Sequence, residues 1–185
     1  MRTGLQTERL LLLPSDPRLA EPVTAYFVRN QHFLRPFEPP RDNLFFSVPG
    51  QRRLLKREQH EMAAGCSYRF WMVPKDNRKN IIGSVALSGL IRGSIQSSFV
   101  AYRTDAALQG CGYATEAMQR LMEFSFEAIH LHRLEANIMP RNKPSLRVAE
   151  KLGFINEGLS RLYLNINGAW EDHFRFSIIN EGFDQ

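Results

Sequence analysis

The stretch Gln109-Gly110-Cys111-Gly112-Tyr113-Ala114-Thr115 lies between an expected strand ending at Tyr102 and an expected helix with an apolar face starting at Ala114. Two glycines at such a junction let successive backbone N–H groups turn toward one point. With the positive end of the helix behind them they form a nest for a phosphate or pyrophosphate. Three nucleotide-binding readings compete for this loop. A Walker loop needs Gly-Lys-Ser/Thr, which is absent. A dinucleotide fingerprint needs Gly or Ala in place of Thr115 and a tight turn after the strand, whereas the connection Arg103–Leu108 is too long. What remains is the pattern Gln/Arg-x-x-Gly-x-Gly/Ala, met by Gln109, Gly112 and Ala114.

Around that loop the chain reads as one mixed α/β domain over residues 1–185. Leu10–Leu13 is a short first strand. Asp16-Pro17 opens a helix carrying Ala20, Val23, Tyr26 and Phe27 at helical spacing. Residues His32–Asp42 hold three prolines and several aromatics, so they are expected as a loop folded against the core. A second helix spans Pro49–Ala64. Strands follow at Tyr68–Val73, Ile81–Ser88 and Ser94–Tyr102, the first two joined by the turn Lys75–Asn80 and the last two by a hairpin at Gly93. The helix after the glycine loop is expected to reach Ala128. Leu134–Met139 is a strand stopped by Pro140. Asn142 or Lys143 starts a helix through Lys151 that Gly153 closes. Gly158–Ile166 and Trp170–Ile178 form a last hairpin around Asn167-Gly168 with a type I′ signal.

Composition removes several classes. A hydrophobic fraction of 43% and a charged fraction of 23% exclude a disordered chain. The longest apolar run, Leu10–Leu13, is far short of the ~20 residues of a membrane span, and no secretory signal opens the chain. Cys66 and Cys111 make neither a disulfide framework nor a zinc quartet and fit a reducing compartment, so a soluble, cytoplasmic protein is expected. His130-x-His132 lacks a third ligand nearby in sequence, and no metal is expected. A net charge of +5 favours polyanions such as phosphorylated cofactors or ribosomal RNA. Arg52, Arg53, Lys56 and Arg57 form a basic stripe on the second helix, either a solvated face or an RNA contact.

The loop pattern resembles the pyrophosphate loop of the GCN5-related N-acetyltransferases, which use acetyl-CoA. The resemblance runs through most of the chain in order, and it is most specific toward the ribosomal-protein alanine acetyltransferase branch. It is carried by Thr7-Glu8-Arg9-Leu10, His32-Phe33-Leu34, Glu38-Pro39, Ile81-Ile82-Gly83, Ile91-Arg92-Gly93-Ser94 and Ala136-Asn137. It continues through Met139-Pro140, Asn142-Lys143, Leu152-Gly153-Phe154, Glu157-Gly158, Asn167-Gly168, Trp170 and Asp172-His173. The implied fold is a mixed, mostly antiparallel sheet of about six to seven strands flanked by helices. Its fourth and fifth strands, here Ser94–Tyr102 and Leu134–Met139, are expected to splay apart.

The resemblance also implies a site. Splayed strands leave backbone groups unpaired, and Val100, Ala101 and Tyr102 are expected to pair with the pantetheine arm of acetyl-CoA. Gln109, Gly110, Cys111, Gly112, Tyr113, Ala114 and Thr115 are expected to hold its pyrophosphate. Asn142 matches a residue that bonds the pantetheine arm, though it also reads as an ordinary helix cap. Ser145 matches the residue proposed to protonate the departing thiolate, though a hydroxyl there can equally bond backbone. For the base, Glu135 matches a fifth-strand carboxylate, with a structural ion pair to Arg133 or Arg141 as the plain alternative. The position of a carboxylate base in a related branch falls on Leu164, which is apolar. On the acceptor side the resemblance implies Phe33, Phe37 and Glu38, with Tyr163, Trp170 and Asp172 from the closing hairpin. Phe33 and Phe37 also read as loop-to-core packing.

The acceptor implied is the N-terminal amine of a ribosomal protein or peptide, met by a monomer or homodimer. Two other readings stay open: acetylation of a small amine or antibiotic, and a ribosome-associated RNA-binding assembly factor.

Overall fold

The structure, a computed structural model, describes residues 4–78 and 80–183. Eight strands form one sheet: β1 (Leu5–Gln6), β2 (Leu10–Pro14), β3 (Tyr68–Pro74), β4 (Gly83–Ile91), β5 (Ser97–Thr104), β6 (Arg133–Ile138), β7 (Ile155–Ile166) and β8 (Ala169–Ile179). Four α-helices flank it: α1 (Ala20–Leu34), α2 (Val48–Ala63), α3 (Tyr113–Glu123) and α4 (Lys143–Lys151). The strand order is β1-β2-β3-β4-β5-β6-β8-β7, and every neighbouring pair is antiparallel except β5 with β6.

Helices cover the central strands on both faces, which is why β3 reads as a nearly continuous apolar run instead of alternating. On one face Val23, Tyr26 and Phe27 of α1, with Leu55 of α2, pack against Trp71, Val73 and Ile81. On the other, Ala117, Met118 and Leu121 of α3 and Ala149 of α4 meet Phe70, Met72, Val85, Val100, Leu134, Ala136 and Ile138. Strand alternation therefore turns Val100, Tyr102, Ala136 and Ile138 toward α3 and α4, and Ala101, Arg103, Glu135 and Asn137 toward the α1 side.

Several expectations change at this level. The sheet has eight strands, because the two residues of β1 add an edge that short-range pattern does not signal. His32, Phe33 and Leu34 are the last turn of α1 and not loop; Pro36 sits inside the following 3-10 turn, Arg35–Phe37, and spares the helix before it. Ile81 and Ile82 precede β4, and β5 starts at Ser97 instead of Ser94. The helix expected to run to Ala128 stops at Glu123 and ends in a π-helical turn, Phe124–Ala128. In the turn Lys75–Asn80, Lys79 lies outside the described residues. The closing hairpin has positive φ at both Asn167 (52°) and Gly168 (86°), as a type I′ turn requires.

The pairing that matters most is the shortest one. β5 and β6 are in register only at Ser97–Arg133, Ser98–Leu134 and Phe99–Glu135, yet β5 continues to Thr104 and β6 to Ile138. Beyond Phe99 and Glu135 the two strands diverge and leave a fork in the sheet.

Candidate active site

A cavity of about 690 Å³ passes through that fork. Its lining includes side chains from both faces of the sheet. On the α3–α4 side stand Val100, Tyr102, Ala136 and Ile138, the loop residues Gln109, Gly110, Gly112, Tyr113, Ala114 and Thr115, and Asn142, Ser145, Arg147 and Lys151. On the α1 side stand Ala101, Arg103, Asn137 and His173, roofed by Phe33, Phe37 and Glu38. One side of the cavity can thus receive a donor while the other receives an acceptor.

The glycine loop is shaped for an anion. Gly110 and Gly112 have φ of +77° and +82°, a region that strains any residue with a Cβ. Gly112 caps α3, so the first-turn N–H groups of Tyr113, Ala114 and Thr115 lack intrahelical acceptors and point past the helix start. Arg9 holds the loop from behind: its guanidinium donates to the Cys111 carbonyl at 3.0 Å, lies 4.4 Å from the Tyr113 ring centroid and pairs with Glu116 at 2.6 Å. Burial alone would raise the Glu116 carboxyl. Hydrogen bonds from Thr7, the Arg9 backbone and the Arg9 side chain outweigh it and hold Glu116 below its ordinary range.

Asn142 and Ser145 sit at the head of α4. The Asn142 Oδ1 accepts from the Ser145 backbone N–H at 3.3 Å, so Asn142 is a helix cap, with its Nδ2 amide left to the cavity. The Tyr102 hydroxyl donates to the Ser145 carbonyl at 2.8 Å, and burial pushes the phenol up to about 12. Tyr102 stays protonated at any working pH.

The remaining expected site residues divide. Phe33, Phe37 and Glu38 line the cavity, but the Glu38 carboxylate is already held by Arg103 at 2.9 Å and faces Arg41 at 3.8 Å. Glu135 does not line it. Its carboxylate pairs with Arg175 at 2.8 Å and Arg133 at 3.1 Å and accepts from the Ser97 hydroxyl. Burial tends to raise Glu135, and the two arginines outweigh burial and hold it low. That is the structural ion pair, with Arg175 as a partner absent from the sequence reading. Cys111 is exposed, its sulfur 3.9 Å from the Gln109 carbonyl, and is outside the lining. Trp170 is exposed, Tyr163 packs edge-on to His173, and the Asp172 carboxylate accepts from the Leu162 N–H; none of the three lines the cavity. The last contact braces the irregular register of β7 between Ser160 and Leu164, where Leu162 has φ of +47°.

Sequence reasoning missed Arg103, Asn137, Arg147, Lys151 and His173. Arg147 and Lys151 lie one helical turn apart on α4, a spacing legible as one face. Asn137 and His173 stand in the stretches that carry the resemblance but have no role attached there, and Arg103, expected at the start of a connection, belongs to β5. Among the described residues no helix is long and apolar enough to cross a membrane.

A mixed sheet forked between two parallel strands, with an N–H nest at the head of the next helix, defines a CoA-dependent acyltransferase fold. The chain belongs to the acetyltransferase (GNAT) domain family, which matches residues 9–155. It is 34% identical to the probable N-acetyltransferase YjcK of Bacillus subtilis, over 98% of this chain and 99% of that protein. It is likewise 34% identical to the [ribosomal protein uS5]-alanine N-acetyltransferase of Escherichia coli, over 93% of this chain and 88% of that one. Among solved structures, the ribosomal-protein-S5-alanine acetyltransferase from Vibrio fischeri superposes with a TM-score of 0.93 at 33% identity, covering 99% of this chain and 100% of that one. RimJ of Mycobacterium smegmatis, in complex with CoA-disulfide, superposes at 0.88 with 29% identity, covering 95% and 84%. The protein is an N-acetyltransferase whose fold implies acetyl-CoA as cosubstrate. The unpaired edges of β5 and β6 and the glycine nest suit a ligand with an amide-rich arm and a pyrophosphate.

Proposed function

We propose that this enzyme acetylates the N-terminal α-amine, with alanine first, of a ribosomal protein. The observation that carries the reading is the α1 side of the cavity, lined by Phe33, Phe37 and Glu38 on the sheet face opposite the glycine loop. That side offers room for an extended chain end opposite the donor. The E. coli relative is named for the same chemistry.

Acetyl-CoA supplies an activated acetyl thioester. The α3 nest, with Arg147 and Lys151, binds its phosphates, and Val100–Tyr102 orient its arm along β5. A backbone N–H of that strand segment polarises the thioester carbonyl. Ser145 gives a proton to the departing sulfur, with Asn142 and Tyr102 fixing the turn that carries it. The acceptor attacks directly, without an enzyme nucleophile. Energetics favour an α-amine: neutralising it at pH 7 costs about 1 kcal/mol, against about 4.6 kcal/mol for a lysine amine. Positioning the neutral amine supplies much of what remains of the barrier.

The test compares kcat/KM for a peptide beginning with alanine and for spermidine and an aminoglycoside under the same conditions. A peptide preference of about a hundredfold or more supports the reading, and a small-amine preference overturns it.

A further inference from the structure

Glu135 and Glu38 are both committed to arginines, and Leu164 has no polar atom. The cavity nevertheless presents two unclaimed proton acceptors on the α1 side. His173 on β8 is only 3% exposed and lines the cavity. Its Nδ1 lies 2.9 Å from the Glu171 carbonyl oxygen. A carbonyl can only accept, so Nδ1 carries a hydrogen, and in the neutral ring the lone pair then sits on Nε2. The Tyr163 ring packs edge-on against the imidazole and fixes its plane. No partner meets Nε2 among the described residues. On the adjacent strand β6, Asn137 pairs in register with Arg175, two residues from His173 on the same face; its Oδ1, like the Arg175 Nε, is buried without a hydrogen-bond partner, and Asn137 belongs to the same cavity lining. A buried acceptor left unpaired is costly, which singles it out as an atom awaiting a donor.

We infer that Asn137 Oδ1 and His173 Nε2 together receive the acceptor's α-ammonium, and that His173 is the base that deprotonates it. This rests on the N-terminal acetylation reading above. A primary ammonium brings three N–H donors, two of which meet these acceptors. One proton passes from the ammonium nitrogen to Nε2 and leaves the nitrogen lone pair free. As the C–N bond forms and the C–S bond breaks, Ser145 gives its hydroxyl proton to the departing sulfur and takes the second proton from nitrogen in its place, and His173 returns its proton to water. The remaining cavity-lining ionisable side chains do not compete for this role: Arg41, Arg103, Arg147 and Lys151 bring N–H donors, Tyr102 and Tyr113 are phenols, and Glu38 is paired. Facing His173 from its surroundings are Tyr163 of β7, Glu171 of β8 in its pair with Arg141, Arg175 of β8 in its pair with Glu135, and the Glu38–Arg103 pair across the cavity.

His173→Asn keeps a side-chain N–H for the Glu171 carbonyl and removes the base. With the alanine-initiated peptide at pH 7, its kcat is expected to fall about a hundredfold. The deficit should shrink toward pH 9, where the α-amine is already neutral, and imidazole added at pH 7 should restore part of the rate. Asn137→Ala should raise the peptide KM about tenfold and leave the acetyl-CoA KM unchanged. Independently of turnover, nitrogen NMR of the wild type should show the neutral His173 ring with its hydrogen on Nδ1. A wild-type enzyme that leaves the free α-amine untouched removes the N-terminal reading and this role with it. A wild type that acetylates the peptide, beside a His173→Asn variant with undiminished kcat or a pH-independent deficit, overturns the His173 assignment alone. So does a neutral ring with its hydrogen on Nε2.

Discussion

The Tyr102 hydroxyl on β5 bonds the Ser145 carbonyl in the first turn of α4, spanning the donor side of the fork in the sheet. Strand and helix are therefore held at a set separation by one hydrogen bond, on the side where the sheet itself supplies none. Tyr102→Phe removes that bond, and the Ser145 carbonyl keeps only its place in the α4 helical ladder. A loss of about 1 kcal/mol is expected, which in a domain of this size lowers the thermal midpoint by about 2–4 °C. Because Ser145 is carried by the freed turn, kcat should fall more than the KM for acetyl-CoA rises. Thermal denaturation and steady-state kinetics check both.

Gly83 answers to packing and not to turn geometry. A Cβ there would stand 2.2 Å from the Arg103 carbonyl oxygen and 2.2 Å from the Met72 methyl. Gly83→Ala must push β4 away from β5 just behind the fork, and several kcal/mol of stability, about 2–4, should be lost. Gly93→Ala is the control, since nothing lies within 4 Å of a Cβ there and only its positive φ of 71° resists. Urea unfolding of the two variants should separate them clearly, with Gly93→Ala losing about 1 kcal/mol.

The pyrophosphate loop is tested by Gly112→Val. At φ of +82° a β-branched residue is strained, and its Cβ would lie 3.3 Å from the Arg9 guanidinium. The N–H nest at the start of α3 should be lost, with acetyl-CoA affinity weakened about tenfold or more. Calorimetric titration with CoA measures this, and retained affinity would remove the loop assignment.

Acid stability follows from the cluster that claims Glu135. Its carboxyl is held below the ordinary 4.5, and Glu157, bonded by Arg133 and Ser177, is held down to about 2. A depressed folded pKa means that the ionised form contributes stability above about pH 4.5, and that this contribution is lost as pH falls. Wild type should therefore lose its stability advantage over Glu135→Gln progressively as pH falls below about 4.5. Chemical unfolding at a series of pH values checks it, and a constant difference across the range would contradict the ion-pair account.

Much of this architecture is legible in the sequence because it is local. Gly112, Gly153 and Asn167-Gly168 announce helix caps and a turn through backbone conformations few other residues adopt. The fork was legible only through the family resemblance, since the β5–β6 pairing joins residues more than thirty positions apart. The acceptor side was least legible. Glu38 meets Arg103, and Arg175 meets Glu135, through sheet geometry that leaves no trace in spacing. His173 and Asn137 look like any inward residues of alternating strands, and what sets them apart is a missing partner, which only coordinates reveal. The hairpin residues Tyr163, Trp170 and Asp172 went astray because the irregular register at Ser160–Leu164 turns the strand, so Leu164, Asn165 and Ile166 reach the cavity in their place.

The α1 side of the cavity is proposed to admit a chain terminus. The most direct test incubates the enzyme and acetyl-CoA with two peptides that differ only in a free or blocked N-terminal alanine, each with one internal lysine. Mass spectrometry then locates the added acetyl group. The account predicts acetylation of the free α-amine alone, with the blocked peptide unchanged. Acetyl groups on the internal lysine of both peptides would contradict it.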